Sequence, residues 1–151
     1  DSHLGFTDVT TSWNLTELSP YIDLIAAGKA EAIMTAHVFN ASLDADHPAT
    51  LSASIITSIL RNQLGFDGVV ISDDLQMGAI TRHYGLEQAV QLALAAGVDV
   101  LLFGNNLDYD PEIVPRVMGI IRDLVAAGEI SEERIDESYR RILRLKGIEA
   151  L

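Results

Sequence analysis

The sequence predicts an α/β fold built on a small parallel sheet. Three short apolar runs, at residues 32–37, 68–73 and 98–103, have the composition of buried strands. They alternate with longer segments in which apolar residues recur at helical spacing, and this alternation is typical of parallel sheets. Three strands fit either a small open α/β domain or part of a (β/α)₈ barrel, which needs eight strands and about 250 residues.

The helical segments have recognisable starts and ends. They are predicted at residues 15–27, 51–64, 86–96, 110–127 and 131–146. Pro20 is tolerated only in the first turn of a helix, which favours a start of the first helix at Ser19. Asp110-Pro111 combines an N-cap with proline at the first helical position. In the last helix, Tyr139-Arg140-Arg141 is predicted to be a solvated surface.

Composition excludes several classes of function. The 151 residues carry 10 basic and 22 acidic side chains, a formal charge of −12 that would repel a nucleic-acid backbone. The chain has no cysteine, which excludes disulfides and thiolate metal sites. No run of about 18 apolar residues is present, so no membrane span is expected.

The first residues are Asp1-Ser2-His3, without an initiator methionine. We therefore expect a processed form, an expressed piece or a fragment of a longer protein. The compartment stays open between cytoplasmic and exported, because proteins of both kinds can lack cysteine.

Polar residues follow each predicted strand, where parallel α/β folds build their sites. They are His37, Asp73-Asp74 and Asn105-Asn106. Adjacent carboxylates at a strand end suit nucleophilic or acid–base chemistry, although an Asp pair can equally cap the next helix. Because strand side chains alternate, only one of Asp73 and Asp74 can face a substrate squarely.

Metal and cofactor sites are not predicted. Asp44, Asp46 and His47 share an Ala/Asp loop, but they lack the spacing of a ligand set. No cofactor is predicted.

Residues 59–61 and 64–73 resemble the motif of glycoside hydrolase family 3. In that family a helix ends in a basic residue, a Gly-Phe-x-Gly turn follows, and a strand delivers Ser-Asp; here these are Arg61, residues 65–68 and Ser72-Asp73. The resemblance implies the C-terminal part of a TIM-type barrel, spanning residues 1–151. It also assigns the role of catalytic nucleophile to Asp73.

Other segments are similar to the β-N-acetylglucosaminidase branch of the family. These are Asp74-Leu75-Gln76-Met77, where the β-glucosidase branch usually has Trp after the nucleophile, and residues 32–38, 48–52 and 95–101. Gln76 departs from the small residue usual at its position, and we expect it to alter packing more than chemistry.

Asp1-Ser2-His3 resembles the end of a mobile loop in that branch, in which the His is the acid/base and the Asp orients it. The resemblance implies these roles for His3 and Asp1. His37, Met77 and Asn105 are candidates for binding the sugar; the alternatives are a structural histidine, a core methionine and a loop asparagine.

The resemblance implies a retaining β-N-acetylhexosaminidase acting on cell-wall-derived aminosugars, with an aminosugar glycoside as substrate. Two alternatives remain open: another family 3 β-glycosidase such as a β-glucosidase, or a non-catalytic half-barrel that needs a partner chain. Since the first five barrel strands have no counterpart here, we expect an N-terminal barrel half as partner, or self-association.

Overall fold

A three-stranded parallel sheet, with helices packed against one of its faces, organises the chain. The computed structural model describes residue 5, residues 7–106 and residues 109–148. In chain order the strands and helices are β1 (Thr7–Asp8), a 3₁₀ turn (Leu15–Leu18), α1 (Ser19–Ala26), β2 (Ala32–Met34), β3 (Val38–Phe39), a 3₁₀ turn (Ala49–Leu51), a π-helix (Ser54–Gln63), β4 (Val69–Asp74), α2 (Gly78–Thr81), α3 (Leu86–Ala96), β5 (Val100–Leu102), α4 (Ile113–Ala126) and α5 (Glu132–Leu145).

The three predicted strands are confirmed as neighbours in the order β2-β4-β5, all parallel. Met34, Ile71 and Val100 lie side by side across the sheet. A second, two-stranded sheet was not predicted: β1 pairs in parallel with β3. Each of these strands has only two residues, too few to show the period-two pattern by which strands are recognised.

The predicted helices are found with local differences. The first begins at Ser19, with Pro20 in its first turn as predicted. Residues 54–63, predicted to be an ordinary helix, form a π-helix, a conformation that propensities do not distinguish from an α-helix. The fourth α-helix starts at Ile113 rather than at residue 110. The Asp110 carboxylate accepts from Glu112 N in the turn before it, as a capping residue does.

The helix-facing side of the sheet is the main core. Val70 of β4 is fully buried among Ile56, Ala93 and Val98, while Ile33 of β2 packs against the same cluster. Leu101 of β5 contacts this cluster and a second one formed by α3, α4 and α5. Side chains of alternate strand residues must therefore point to the opposite side of the sheet.

That opposite side, which we call the open face, consists of Met34, Ile71, Val100 and Leu102. Met34 is 57% exposed and Leu102 36%, and the other two are partly exposed. The open face is thus apolar and at least partly exposed at each of these four residues. In a closed barrel such a face would be buried by side chains from the other strands.

The isolated chain is expected to self-associate through the open face, since contiguous exposed apolar surface promotes association. Light scattering should give a mass above that of one chain, and Met34→Lys with Leu102→Lys should shift it towards the monomer. Leu15→Lys is the control, because Leu15 is exposed in the first 3₁₀ turn. A stable monomer of the unsubstituted chain would contradict this expectation.

A buried carboxylate, Asp99, lies just before β5, at the end of the sheet opposite the carboxyl ends of the strands. Its side chain is fully inaccessible. Five groups contact it: Val70 N at 2.9 Å, Ser138 Oγ at 2.7 Å, Arg61 at 2.7 Å, Arg141 at 3.2 Å and Arg134 at 3.5 Å. Arg141, predicted to be solvated, is instead mostly buried in this cluster. Asp99 thereby joins the sheet to the π-helix and α5.

No helix among the described residues is both long enough and apolar enough to cross a membrane.

Candidate active site

Asp73 lies at the carboxyl end of the central strand. Ser72 beside it is fully buried, whereas Asp73 is partly exposed. Asp74 N donates to Asp73 Oδ1 at 2.8 Å, and no described side chain donates a hydrogen bond to this carboxylate. One carboxylate oxygen is therefore oriented by the backbone, and the other is available to a substrate.

A register shift between β4 and β5 occurs next to Asp73. Ile71 pairs with Val100 but Asp74 pairs with Leu102, so the central strand has one extra residue in this interval. Ser72 Oγ accepts from Leu102 N at 2.8 Å and replaces a backbone acceptor. Such bulges redirect side chains at sheet ends, and this one lies where the candidate nucleophile leaves the sheet.

Asp74 stabilises the turn that follows the strand. Its Oδ1 accepts from Gln76 N at 2.9 Å, and its carbonyl oxygen accepts from Met77 N at 3.0 Å. This is the capping alternative considered for an Asp pair. The two adjacent carboxylates thus have different surroundings, since Asp74 is engaged by its own turn.

His37 connects the chain after β2 to the turn after β4. Its Nε2 lies 2.9 Å from the carbonyl oxygen of Asp74, and its Nδ1 lies 2.9 Å from Thr50 Oγ1. A carbonyl oxygen can only accept, so Nε2 carries the proton and Thr50 donates to Nδ1 of the neutral ring. Thr35 Oγ1, 2.8 Å from Thr50 Oγ1, then donates to Thr50.

The neutral His37 ring should persist into mildly acidic solution. Burial lowers the pKa of His37, and this effect outweighs the opposing influence of the Asp74 carbonyl and of the Asp73 and Asp74 charges. Since the unfolded ring titrates near 6.5, stability should fall as the pH drops below about 6.5, where the unfolded chain binds the extra proton.

Nitrogen-15 NMR of the histidine rings in the full-length protein would measure this titration. We expect the midpoint of the His37 titration to lie below the unfolded value of about 6.5 and the ring to be the Nε2–H tautomer above it. Thr50→Val, which removes the donor to Nδ1, should lower stability by about 1–3 kcal/mol. A His37 ring that is doubly protonated above pH 6.5 would contradict the assignment.

Two of the three predicted sugar-binding residues are buried among the described residues. His37 is 1% exposed and Met77 2%, and additional strands could only reduce these values. Sugar binding by His37 and Met77 stays a prediction. Asn105 is partly exposed, but its side chain accepts from Asp110 N and donates to Asp110 O, which leaves sugar contact as a prediction.

The side chain of Asp44, which was considered as a metal ligand, has a structural role in its loop. Asp44 accepts hydrogen bonds from Asp46 N and His47 N at 2.9 Å and from Ser52 Oγ at 2.5 Å, so it organises the chain before the π-helix. Among residues 5, 7–106 and 109–148, no three His, Asp or Glu side chains are grouped to hold a metal ion. Asp1 and His3 lie outside the described residues.

Comparison with known proteins agrees with the geometry. A β-hexosaminidase of Tolumonas auensis is 43% identical over 109 residues, covering 70% of this chain and 32% of that protein. β-Hexosaminidase LpqI of Mycobacterium tuberculosis is 32% identical over 155 residues, covering 97% and 38%.

Among solved structures, the glycoside hydrolase family 3 β-N-acetylglucosaminidase of Paenibacillus sp. str. FPU-7 matches with a TM-score of 0.85 and 37% identity. The match covers 97% of this chain and 28% of that one. The chain thus spans only 28–38% of these three proteins. The parallel sheet is part of a TIM-barrel-type α/β fold, as predicted. Because the model of the glycosyl hydrolase family 3 N-terminal domain matches residues 1–145, the chain belongs to this family.

Proposed function

We propose that the whole protein is a retaining β-N-acetylhexosaminidase that removes terminal N-acetylglucosamine from cell-wall-derived sugars, with Asp73 as the nucleophile. One observation carries the proposal: Asp73 lies partly exposed at the carboxyl end of the central strand, with a single backbone donor on one oxygen. In parallel barrels this end of the strands holds the catalytic groups. The relatives named hexosaminidase support the same substrate class.

The proposed reaction has two steps. In the first, an Asp73 oxygen attacks the anomeric carbon, the bond to the leaving oxygen breaks, and His3 gives that oxygen a proton. In the second, His3 takes a proton from water, which attacks the anomeric carbon and releases Asp73. The role proposed for Asp1 is to orient His3.

The remaining strands of the barrel must come from elsewhere in a longer protein or from a partner chain. In this proposal residues 1–151 form one piece of a single barrel domain, and the open face of Met34, Ile71, Val100 and Leu102 meets the other strands.

The isolated chain should turn over substrate poorly or not at all. Orientation of the substrate can contribute roughly 7–11 kcal/mol to barrier lowering, and most groups that would orient the sugar lie outside this chain.

The deciding assay compares two nitrophenyl glycosides on the full-length protein. We expect hydrolysis of the N-acetylglucosaminide to exceed that of the glucoside, and the sugar to be released as its β-anomer. Preference for the glucoside would indicate a β-glucosidase instead. Hydrolysis of neither, by folded protein, would favour a non-catalytic role and overturn the proposal.

A further inference from the structure

Gln76 joins the turn after β4 to the loop after β5. Its Oε1 accepts from Asn105 N at 2.6 Å, and its Nε2 lies 3.5 Å from Asn105 Oδ1. Asn105 has a φ of 53°, and it is the one non-glycine residue at positive φ among those described. Asparagine adopts this left-handed conformation more readily than most other residues, and contacts with neighbouring groups help to hold it here. Gln76 supplies one of them.

Asn105 in turn organises the loop. Its amide side chain makes hydrogen bonds of 2.8 and 2.9 Å to the backbone of Asp110, which ties Asn105 to the residue two positions before Glu112 and the start of α4. A small residue at position 76, as is usual in the resembling branch, could not reach Asn105 N. Gln76, expected from the sequence to alter packing more than chemistry, also makes a specific polar contact across 29 residues.

The same loop approaches the turn that follows the nucleophile. A methyl group added at Gly104 would lie 2.5 Å from Asp74 Oδ2, so the Gly104 backbone packs directly against this carboxylate. Asp74 also accepts from Gln76 N through Oδ1, and its own N orients Asp73 Oδ1. A continuous series of contacts therefore runs from Asn105 through Gly104 and Asp74 to Asp73.

We propose that Gln76 is a positioning residue for the reaction of Asp73: by holding Asn105, it keeps the loop after β5 against Asp74 and so fixes the direction of the Asp73 carboxylate. This inference rests on the proposed function. Because Gln76 acts on the attacking group through other residues, its loss should reduce the rate of glycosyl transfer to Asp73 more than it weakens substrate binding.

Two substitutions of similar size separate positioning from packing. Gln76→Met keeps the length and volume of the side chain but removes the acceptor for Asn105 N, whereas Gln76→Glu retains an acceptor oxygen. In the full-length protein we expect Gln76→Met to lower kcat about 10- to 100-fold with KM changed by less than about threefold. Gln76→Glu should recover most of that loss.

The measurement is kcat and KM for a nitrophenyl N-acetylglucosaminide, together with the single-turnover rate of glycosyl transfer. Protein concentrations are corrected for the folded fraction measured by circular dichroism. Gly104→Ala, which crowds Asp74, should show the same selective loss of kcat. A kcat of Gln76→Met within about twofold of the unsubstituted protein, an effect on KM alone, or an equal loss in Gln76→Glu would overturn the inference. Absence of turnover in the unsubstituted protein would instead count against the proposed function.

Discussion

Asp73→Asn in the full-length protein is expected to reduce kcat by about 10⁴-fold or more, with little change in folding. The amide cannot act as the attacking carboxylate, and removing a catalytic nucleophile commonly costs several orders of magnitude. The amide can still accept from Asp74 N, so the local turn should persist. Steady-state rates and circular dichroism on the same samples measure the two effects.

Asp74→Asn is the matched control, because it changes the adjacent carboxylate in the same way. Asn caps backbone N–H groups well, so the hydrogen bond from Gln76 N should remain and turnover should stay measurable. Equal losses of kcat in Asp73→Asn and Asp74→Asn would contradict the assignment of Asp73 as the nucleophile and of Asp74 as a turn-stabilising residue.

Asp99→Asn is expected to lower the free energy of unfolding by about 3–5 kcal/mol. The substitution leaves Arg61, Arg134 and Arg141 packed together without their shared counter-charge, and unpaired buried charges are costly. Asp67→Asn is the control: Asp67 pairs with Arg141 and Arg144 but is 65% exposed, so its loss should cost less than about 1 kcal/mol. Urea unfolding of the full-length variants measures both values.

The Asp99 cluster should also make stability depend on pH. Burial raises the pKa of Asp99, but hydrogen bonds from Val70 N and Ser138 and the charges of Arg61 and Arg141 outweigh it, and the pKa is lowered. A carboxyl group whose pKa is lowered by folding stabilises the folded protein at pH values above the pKa of the same group in the unfolded chain, about 3.9. This stabilisation should be lost as the pH falls from about 3.9 through the lower pKa of the folded state. The free energy of unfolding of Asp99→Asn should not show this loss.

The strands and most helices could be predicted because their signals are local. Val69-Val70-Ile71 is β-branched and apolar, and Ser19-Pro20 and Ser131 mark helix starts within single turns. The resemblance to family 3 also identified Asp73 as the candidate nucleophile, and the strand placed it at the carboxyl edge of the sheet. Local patterns of this kind depend on neighbours within a few residues.

The contacts around the site could not be predicted, because each depends on residues far apart in the sequence. The bulge beside Asp73 depends on Ser72 Oγ meeting Leu102 N, and the Gln76–Asn105 contact depends on the loop after another strand. The Asp99 cluster had a weak signal, a lone carboxylate in the apolar run 98–103. A charge in a buried strand needs a partner, but the sequence does not say which arginine supplies it.

The most direct test of the central claim is to trap the glycosyl-enzyme and locate the sugar. A fluorinated N-acetylglucosamine analogue with a good leaving group would be incubated with the full-length protein, which would then be digested and its peptides mapped by mass spectrometry. The assignment predicts one sugar on the peptide that contains Ser72-Asp73-Asp74, with fragmentation placing it on Asp73. A label on Asp74, or accumulation of the labelled enzyme in the Asp73→Asn variant, would contradict it.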